Sequence, residues 1–109
     1  MTFAMTELDV VRWGEARRII QNGKAIGQAM KTLEETGELI AALAKNDKEE
    51  AIDAVGDVMV TLTMICAILD INLVDCYKHA YEQIKDRKGY LRPDGVFVKE
   101  VKNTQLAVV

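Results

Sequence analysis

Apolar residues recur along most of this chain at steps of three and four, the spacing that places side chains on one face of an α-helix. The clearest example runs through residues 24–45. The members of this apolar seam are Ile26, Met30, Leu33, Gly37, Ile40 and Ala44. The same periodicity predicts three more helices, over residues 6–20, 48–69 and 73–88. Because the third of the four helices is apolar around most of its circumference beyond Val58, we expect it to be the most buried helix.

Polar residues at the predicted helix starts support these boundaries. In a capping box, the first side chain accepts a hydrogen bond from the backbone N–H group three residues later. Three pairs have this spacing: Thr6 with Asp9, Asp47 with Glu50, and Asn72 with Asp75. Gly89 is a natural end for the fourth helix, because glycine readily adopts the backbone conformation that terminates helices.

The C-terminal part of the chain lacks helical periodicity. Residues 92–95, with the letters RPDG, form a strong turn signal, and residues 96–98 alternate too briefly for more than one short strand. We therefore predict an all-α fold in a single domain over residues 1–109. It has a four-helix core at about residues 6–89 and a short irregular C-terminal extension at about residues 90–109. A chain of this length buries only about two thirds of its unfolded surface, so we expect oligomerisation to complete the bundle.

The overall charge argues against some classes of partner. The net charge is −3 and the pI is near 5.1, whereas a nucleic-acid-binding surface requires clustered Lys and Arg. The most apolar run, residues 58–69, is shorter than the roughly 20 residues that cross a bilayer, and no signal peptide is visible. Cys66 and Cys76 have no metal-ligand spacing, so we expect two buried thiols in a reducing compartment. We therefore expect a cytoplasmic protein with no nucleic-acid or membrane partner.

Carboxylates are concentrated in residues 31–57, on helix faces that would otherwise pack a core. Glu34, Glu35 and Glu38 fall within an arc of about 100° on the second predicted helix. On the third predicted helix, an arc of about 80° contains a second polar stripe. Its members are Glu50, Asp53, Asp57 and Thr61. A short turn makes these two helices antiparallel neighbours, so the two stripes can face each other.

Such a cluster favours a divalent cation. Closely placed carboxylates repel one another, and in an apolar setting they either take up a proton or bind a cation. Oxygen ligands without His or Cys suit Mg²⁺ or Mn²⁺. A plainer interpretation is that the three glutamates form a solvated helix face and that Glu50 serves only in helix capping. Asp57 is harder to explain in that way, because it stands where the most apolar segment begins.

The letters KTLEETGEL, followed by AIDAVGDVMVTL, resemble the signature of the MazG-like, all-α nucleoside triphosphate pyrophosphohydrolases. The resemblance covers about residues 28–89. It implies a MazG-like helical bundle that binds Mg²⁺ and hydrolyses (d)NTPs to the monophosphate and pyrophosphate, and it implies assembly as a homodimer or homotetramer. The EExxE motif of that family corresponds to Glu34, Glu35 and Glu38, of which Glu35 and Glu38 match its metal-binding pair.

The second motif of the family, ExxD, departs from its pattern in this chain. Asp57 matches the aspartate of the motif, but Ala54 stands where its glutamate is expected. Asp53 lies about one helical turn before Asp57, so we expect it to replace that glutamate as the fourth metal ligand. In a second register, Glu50 and Asp53 themselves form a literal ExxD. The fourth ligand is therefore Asp53 or, in the second register, Glu50.

Several other residues match the family less specifically. Lys31 stands three residues before EExxE, where the resemblance implies a phosphate contact. An ion pair of Lys31 with Glu34 or Glu35 explains it equally well. Lys85 and Arg87 resemble the basic cluster of the family and would bind the triphosphate. Glu34, beside the expected metal ligands, is our candidate for the general base.

Two alternatives stand beside the NTP pyrophosphohydrolase. One is a non-catalytic helical dimerisation module, whose acidic residues only keep it soluble. The other keeps the fold and the type of reaction but changes the substrate, because phosphoribosyl-ATP pyrophosphohydrolases resemble the MazG-like family. Mg²⁺-dependent release of pyrophosphate separates an enzyme of either kind from a dimerisation module.

Overall fold

A computed structural model describes residues 1–101, which form five helices and one two-stranded sheet. The helices are α1 (Phe3–Ala16), α2 (Ile19–Asn22), α3 (Ala25–Ala44), α4 (Lys48–Ile68) and α5 (Leu73–Ile84). The strands are β1 (Gly89–Leu91) and β2 (Phe97–Lys99). The predicted all-α class is confirmed. The chain divides into two compact units, Met1–Tyr77 and Lys78–Val109, and the single domain stays a prediction.

Helices α3 and α4 form the centre of the first unit. Between them the backbone of Asn46 is left-handed, with φ 56°. The Asp47 side chain then accepts a hydrogen bond from the Glu50 N–H at 3.1 Å, which confirms the predicted turn and helix cap. As predicted, α4 is the most buried helix. Its buried residues are Ala54, Thr61, Thr63, Met64 and Cys66.

Helix α1 begins earlier than predicted. It starts at Phe3, where the Thr2 side chain accepts a hydrogen bond from the Met5 N–H at 3.1 Å, so the predicted Thr6 cap is wrong. Spacing alone does not choose between two nearby threonines that both precede apolar residues. The helix also ends before residue 20, because Arg18 adopts a left-handed conformation with φ 61° and the short α2 follows.

Gly14 allows α1 to approach α4 closely. A Cβ atom at this position would lie 2.5 Å from the sulfur of Met64, a side chain that is only 1% exposed. No real Cβ atom tolerates that distance, so any larger residue would force Met64 to move. The glycine therefore sets how tightly α1 packs against the core helix.

By length and composition alone, α4 could cross a membrane, and no other helix within residues 1–101 meets that criterion. It has 21 residues, and its most apolar 18-residue window has a mean hydropathy of 1.8 and is 28% buried. The whole helix is thus longer than the apolar run of residues 58–69 that our prediction considered. The core helix of a soluble protein passes the same test, so this feature is weak evidence for a membrane span.

The N-terminus of α5 is capped by a residue of α1. The carboxylate of Glu7, which is 9% exposed, accepts hydrogen bonds from the N–H groups of Leu73 and Val74. The predicted capping pair, Asn72 and Asp75, is joined instead through its side chains, with Asn72 Nδ2 and Asp75 Oδ2 3.4 Å apart. Glu7 and Leu73 are 66 residues apart, so no local pattern in the sequence indicates their contact.

The C-terminal segment forms a β-hairpin, which corrects our prediction of an irregular extension with at most one short strand. The strands β1 and β2 are antiparallel, with Tyr90 opposite Val98. Gly89 does not end α5, which stops at Ile84. Gly89 is instead the first residue of β1, where a Cβ atom would lie 2.0 Å from the Val98 carbonyl oxygen. Residues 102–109 of the predicted extension lie outside the described residues.

The two cysteines differ in exposure, so the prediction of two buried thiols holds for one of them. Cys66 on α4 is buried, whereas Cys76 on α5 is exposed. Burial, followed by the neighbouring Cys76 thiol, raises the pKa of Cys66 to about 11. Cys66 is therefore a protonated thiol at neutral pH, and its nucleophilic reactivity is low.

Candidate metal centre

Three carboxylates from two helices meet in the groove between α3 and α4. Glu35 and Glu38 stand about one helical turn apart on α3, and Asp57 comes from α4. One oxygen of each carboxylate lies within 4.8 Å of one oxygen of the other two. The structure therefore brings together three of the four residues that we predicted as metal ligands. We call them the carboxylate triad.

Glu35 is the buried member of the carboxylate triad, with 8% of its surface exposed. One of its oxygens, Oε1, lies 3.5 Å from Lys31 Nζ. The other, Oε2, is buried and has no hydrogen-bond partner. Leaving a buried polar group unpaired costs about 1–3 kcal/mol, and more when the group is charged. A cation held by the triad would satisfy this oxygen, and we take the unpaired oxygen as the strongest structural sign of a cation site.

Glu38 shows the repulsion within the carboxylate triad. The pKa of Glu38 is raised, first by a hydrogen bond with Glu35 and then by the charge of Glu35. A small loss of hydration and the charges of Glu34 and Asp57 act in the same direction. Without a cation, the folded protein therefore holds a proton at this position more firmly than an isolated glutamate does. A divalent cation would relieve the same repulsion.

The donor set of the carboxylate triad fits Mg²⁺ or Mn²⁺. All three ligands are carboxylate oxygens, and neither His nor Cys belongs to the group. In an octahedral Mg²⁺ site, neighbouring ligands lie about 3 Å apart and opposite ligands about 4.2 Å apart, so the three oxygens, which lie within 4.8 Å of one another, must move closer together to bind one ion. Because Glu38 and Asp57 are exposed, small side-chain rotations would bring their oxygens to coordination distance.

Lys31 and Glu34 flank the carboxylate triad on α3. Lys31 Nζ lies 3.5 Å from a carboxylate oxygen of Glu34 and 3.5 Å from one of Glu35. The charge of Glu34, followed by that of Glu35, raises the pKa of Lys31 and so keeps the lysine protonated. The ion pairs that we considered for Lys31 are thus present, and its phosphate contact stays a prediction. The Glu34 side chain is 60% exposed and lies outside the triad, and its role as general base also stays a prediction.

A cavity of about 300 Å³ adjoins the carboxylate triad. It is lined by Glu38, Ala41, Lys45, Glu50, Asp53, Ala54 and Asp57. Asp53 and Glu50, our two alternatives for the fourth ligand, both line this space, although neither belongs to the three converging carboxylates. Ala54 is 4% exposed, and its small side chain leaves the space open.

Lys45 is a residue of this cavity that our sequence analysis did not identify. Its Nζ lies 3.1 Å from a carboxylate oxygen of Glu50. Lys45 follows Glu38 by seven residues, which is about two helical turns, so both lie on one stripe of α3. That spacing is a signal that could have found it. However, the helix dipole also favours a lysine at the C-terminal end of a helix, so the presence of Lys45 there does not by itself indicate a functional site.

A pair of threonines joins α3 to α4 about one turn from the carboxylate triad. The Thr32 hydroxyl donates a hydrogen bond to Thr61 Oγ1 at 2.8 Å. Thr61, which is 5% exposed, donates in turn to the Val58 carbonyl at 2.7 Å. Thr61 follows Asp57 by one turn, on the polar stripe that the sequence predicted. The pair holds the two helices in one register, and that register sets the distances between the three carboxylates.

Lys85 and Arg87, the predicted triphosphate contacts, belong to the second unit, which begins at Lys78. Lys85 Nζ forms an ion pair with Glu82 at 2.6 Å. Arg87 lies between α5 and β1. Each residue is exposed, and their contact with phosphate stays a prediction.

A family model described as phosphoribosyl-ATP pyrophosphohydrolase matches residues 18–87, well over half of the chain. The matched range contains the carboxylate triad and every residue that lines the adjoining cavity. No curated protein and no solved structure matches the chain at a significant level. The matched family belongs to the MazG-like superfamily of all-α NTP pyrophosphohydrolases. The resemblance is thus confirmed for the superfamily, whereas membership of the MazG-like family itself stays a prediction.

Proposed function

The chain belongs to the phosphoribosyl-ATP pyrophosphohydrolase family, and from this premise we propose that it hydrolyses the α–β phosphoanhydride of a (d)NTP, with Mg²⁺ as cofactor. Family membership supports an enzyme of the pyrophosphohydrolase type that acts on phosphoanhydrides. A (d)NTP is our first candidate substrate because of the EExxE motif and the apolar helix that follows it. The products would be the (d)NMP and pyrophosphate.

The convergence of Glu35, Glu38 and Asp57 carries this proposal. Three carboxylates on a protein of net charge −3 would repel a triphosphate unless divalent cations stand between them. The unpaired buried oxygen of Glu35 supports a cation at the same place. Mn²⁺ would use the same oxygen ligands as Mg²⁺.

In the proposed site, the carboxylate triad holds Mg²⁺, with Asp53 as the fourth ligand. When bound, Mg²⁺ supplies the positive charge that offsets the negative charge of the phosphate oxygens. Lys31 contacts another phosphate oxygen, and Lys85 and Arg87 of the second unit are further candidates for binding phosphate. The threonine pair between α3 and α4 keeps the ligands of the two helices at a constant separation.

Glu34 is the proposed general base. It stands next to Glu35 in the chain, and its exposed carboxylate is open to a water molecule. Glu34 takes a proton from the attacking water, whose oxygen forms a bond to the α-phosphorus. The bond between the α-phosphorus and the bridging oxygen breaks, and its electron pair leaves with pyrophosphate.

Phosphoribosyl-ATP is the second candidate substrate, because the matched family carries that description. It contains the same triphosphate group, and hydrolysis of its α–β phosphoanhydride releases the same pyrophosphate. The acidic groove would bind this shared triphosphate in the same way. Selectivity between the two substrates would come from contacts to the base and sugar.

Pyrophosphate release from the eight common NTPs and dNTPs, and from phosphoribosyl-ATP, tests the reaction and its substrate. We expect release only with Mg²⁺ or Mn²⁺, and EDTA should stop it. A kcat/KM at least about tenfold higher for one (d)NTP than for phosphoribosyl-ATP supports the first candidate, and the reverse supports the second. If none of the nine compounds releases pyrophosphate, the enzyme proposal is wrong and the helical dimerisation module is favoured.

We also propose that a second copy of the chain covers the outer face of α3, giving a homodimer or, by pairing of dimers, a homotetramer. The large side chains of the apolar seam are exposed: Ile26 by 70%, Met30 by 68%, Leu33 by 74% and Ile40 by 63%. The buried residues of α3, Glu35 and Ala42, lie on the opposite face. Exposed apolar patches of this kind mark interaction sites, and the alternating steps of four and three suit a partner helix.

Sedimentation velocity with Leu33→Lys tests the assembly. A charge in the middle of the apolar seam should convert the wild-type oligomer into monomer, because burying an unpaired ammonium is strongly unfavourable. Leu91→Lys is the matched control, since Leu91 in the hairpin is exposed to a similar extent, 68% against 74% for Leu33. A monomeric wild type, or an unchanged oligomer in Leu33→Lys, contradicts the proposal.

For its location, we propose a cytoplasmic protein without nucleic-acid or membrane partners. The net charge of −3 supports the lack of a surface for nucleic-acid backbones. Nucleoside triphosphates and Mg²⁺ are both available in the cytoplasm, where the proposed reaction would take place.

A further inference from the structure

We infer that Lys45 contacts the two terminal phosphates of the substrate, in the cavity beside the carboxylate triad. This inference rests on the proposed function and assigns a residue to the leaving pyrophosphate. It applies to both candidate substrates, because a (d)NTP and phosphoribosyl-ATP release the same pyrophosphate. Among the described residues that line the cavity, Lys45 alone is positively charged.

The cavity lies directly beside the proposed cation. Glu38 and Asp57 belong both to the carboxylate triad and to the cavity wall, so a group inside the cavity is a neighbour of the ion. Its volume of about 300 Å³ corresponds to roughly ten water molecules and lies at the lower end of the range for small-molecule pockets. That volume suits two phosphates with their cations and water better than a whole nucleotide.

The cavity wall suits phosphate groups that are accompanied by cations. Four carboxylates line it, and because ionised carboxylates and phosphate oxygens both only accept hydrogen bonds, cations must stand between them. Ala41 and Ala54 complete the wall, so no aromatic ring is present there for a base to stack on. Phosphate oxygens need cations or hydrogen-bond donors, and Lys45 supplies three N–H donors and a positive charge.

The position of Lys45 along α3 gives the phosphate chain a direction. Lys45 follows Glu38 by seven residues, about 10 Å further along the helix on the same stripe. Lys31 precedes Glu38 by the same spacing but does not line the cavity. The terminal phosphates therefore point towards the turn between α3 and α4, and the rest of the nucleotide extends away from it.

Lys45 is free to change its partner. Its ion pair with Glu50 joins two exposed side chains, 62% and 56% accessible. An exposed pair of this kind contributes little to stability, so the lysine exchanges the Glu50 carboxylate for a phosphate oxygen at little cost. Without substrate, Glu50 keeps the ammonium at the edge of the cavity.

Calorimetric titration with inorganic pyrophosphate in the presence of Mg²⁺ tests this contact. Loss of a charge-assisted hydrogen bond in Lys45→Met should raise the Kd of pyrophosphate about 10- to 100-fold. Lys45→Arg keeps the charge and should stay within about threefold of the wild type. Lys48→Met is the matched control, because it removes the same charge from an exposed lysine that does not line the cavity.

A second measurement separates phosphate binding from a general effect of charge. Mg²⁺ alone should raise the Tm of Lys45→Met at least as much as it raises the Tm of the wild type, because the variant loses a competing cation. Circular dichroism should show an unchanged fold, since Lys45 is exposed. Should the methionine variant fold poorly, Lys45→Gln provides the same test with a polar side chain.

The inference is overturned if Lys45→Met binds pyrophosphate as tightly as the wild type, if Lys48→Met loses as much affinity, or if the wild type binds no pyrophosphate with Mg²⁺. The proposed function is judged separately, by pyrophosphate release from nucleotides. Wild-type release together with an unaffected Lys45→Met rejects the role of Lys45 alone. A wild type that releases no pyrophosphate from any nucleotide rejects the function itself.

Discussion

Glu38→Gln is expected to lower Mg²⁺-dependent pyrophosphate release by at least about 100-fold while leaving the metal-free protein at least as stable as the wild type. Glutamine keeps the shape of the side chain but removes one of the three charged ligands. The two effects have opposite signs because the same carboxylate attracts the cation and repels its neighbours Glu35 and Asp57. Initial rates of release and Tm values in EDTA measure them.

The raised pKa of Glu38 gives the pH dependence its sign. Since the pKa in the folded state is above the ordinary value of 4.5, the folded state favours the protonated form. The contribution of Glu38 to stability is therefore complete below pH 4.5 and is lost as the pH rises through the raised pKa. In EDTA, Glu38→Gln should not show this loss. The difference between its Tm and the wild-type Tm should therefore increase in favour of the variant as the pH rises across that window.

Glu15→Gln is the matched control for this experiment, because it makes the same chemical change at an exposed position of α1. It should leave turnover and the Mg²⁺-induced rise in Tm unchanged. In Glu38→Gln that rise should be absent, because a cation that no longer binds the folded state cannot stabilise it. A Glu38→Gln variant that keeps both turnover and the rise in Tm would show that the metal lies elsewhere.

Glu7→Ala should lower the stability of the first unit by about 2 kcal/mol, because two N–H groups at the start of α5 lose their acceptor. The carboxylate also interacts favourably with the positive end of the α5 dipole. For a chain of this size the loss corresponds to a fall in Tm of about 10 °C. Differential scanning calorimetry measures it.

Two further variants identify the cause of that loss. Glu7→Gln keeps an oxygen acceptor without the charge, and we expect a loss between those of the wild type and Glu7→Ala. Asp9→Ala removes an exposed carboxylate from the same helix and should change the Tm by less than about 2 °C. Equal losses in Glu7→Ala and Asp9→Ala would argue against a specific cap at α5.

Periodicity predicts the parts of this fold whose stabilising contacts are local. The pair α3 and α4, the turn between them and the Asp47 cap are all present as expected. The predicted start of α1 is wrong because Thr2, which has Met5 rather than an acidic residue three positions later, caps the helix in place of Thr6. The hairpin is missed because neither strand is long enough to show alternation by itself. Predictions from spacing fail where two local signals compete or where the partner lies far along the chain.

The candidate site divides in the same way. About one helical turn separates Glu35 from Glu38, so the sequence alone places both on one face of α3. The short connection after α3 makes α4, which carries Asp57, the facing helix. The sequence does not reveal that one oxygen of Glu35 is buried without a partner. That property depends on how closely α4 packs over α3, and it is the observation that most favours a cation.

By itself, the sequence determined the four longer helices, the all-α class and the carboxylates that face one another, because each depends on spacings of a few residues along one helix or across one short turn. It did not determine the short α2 or the exact ends of α1 and α5. Only the tertiary structure decided that Glu7 caps α5 and that Lys45 shares a cavity with Glu38 and Asp57. These contacts join side chains of separate helices, or require a space enclosed between them. Their geometry is set by helix packing, which no periodicity in the chain records.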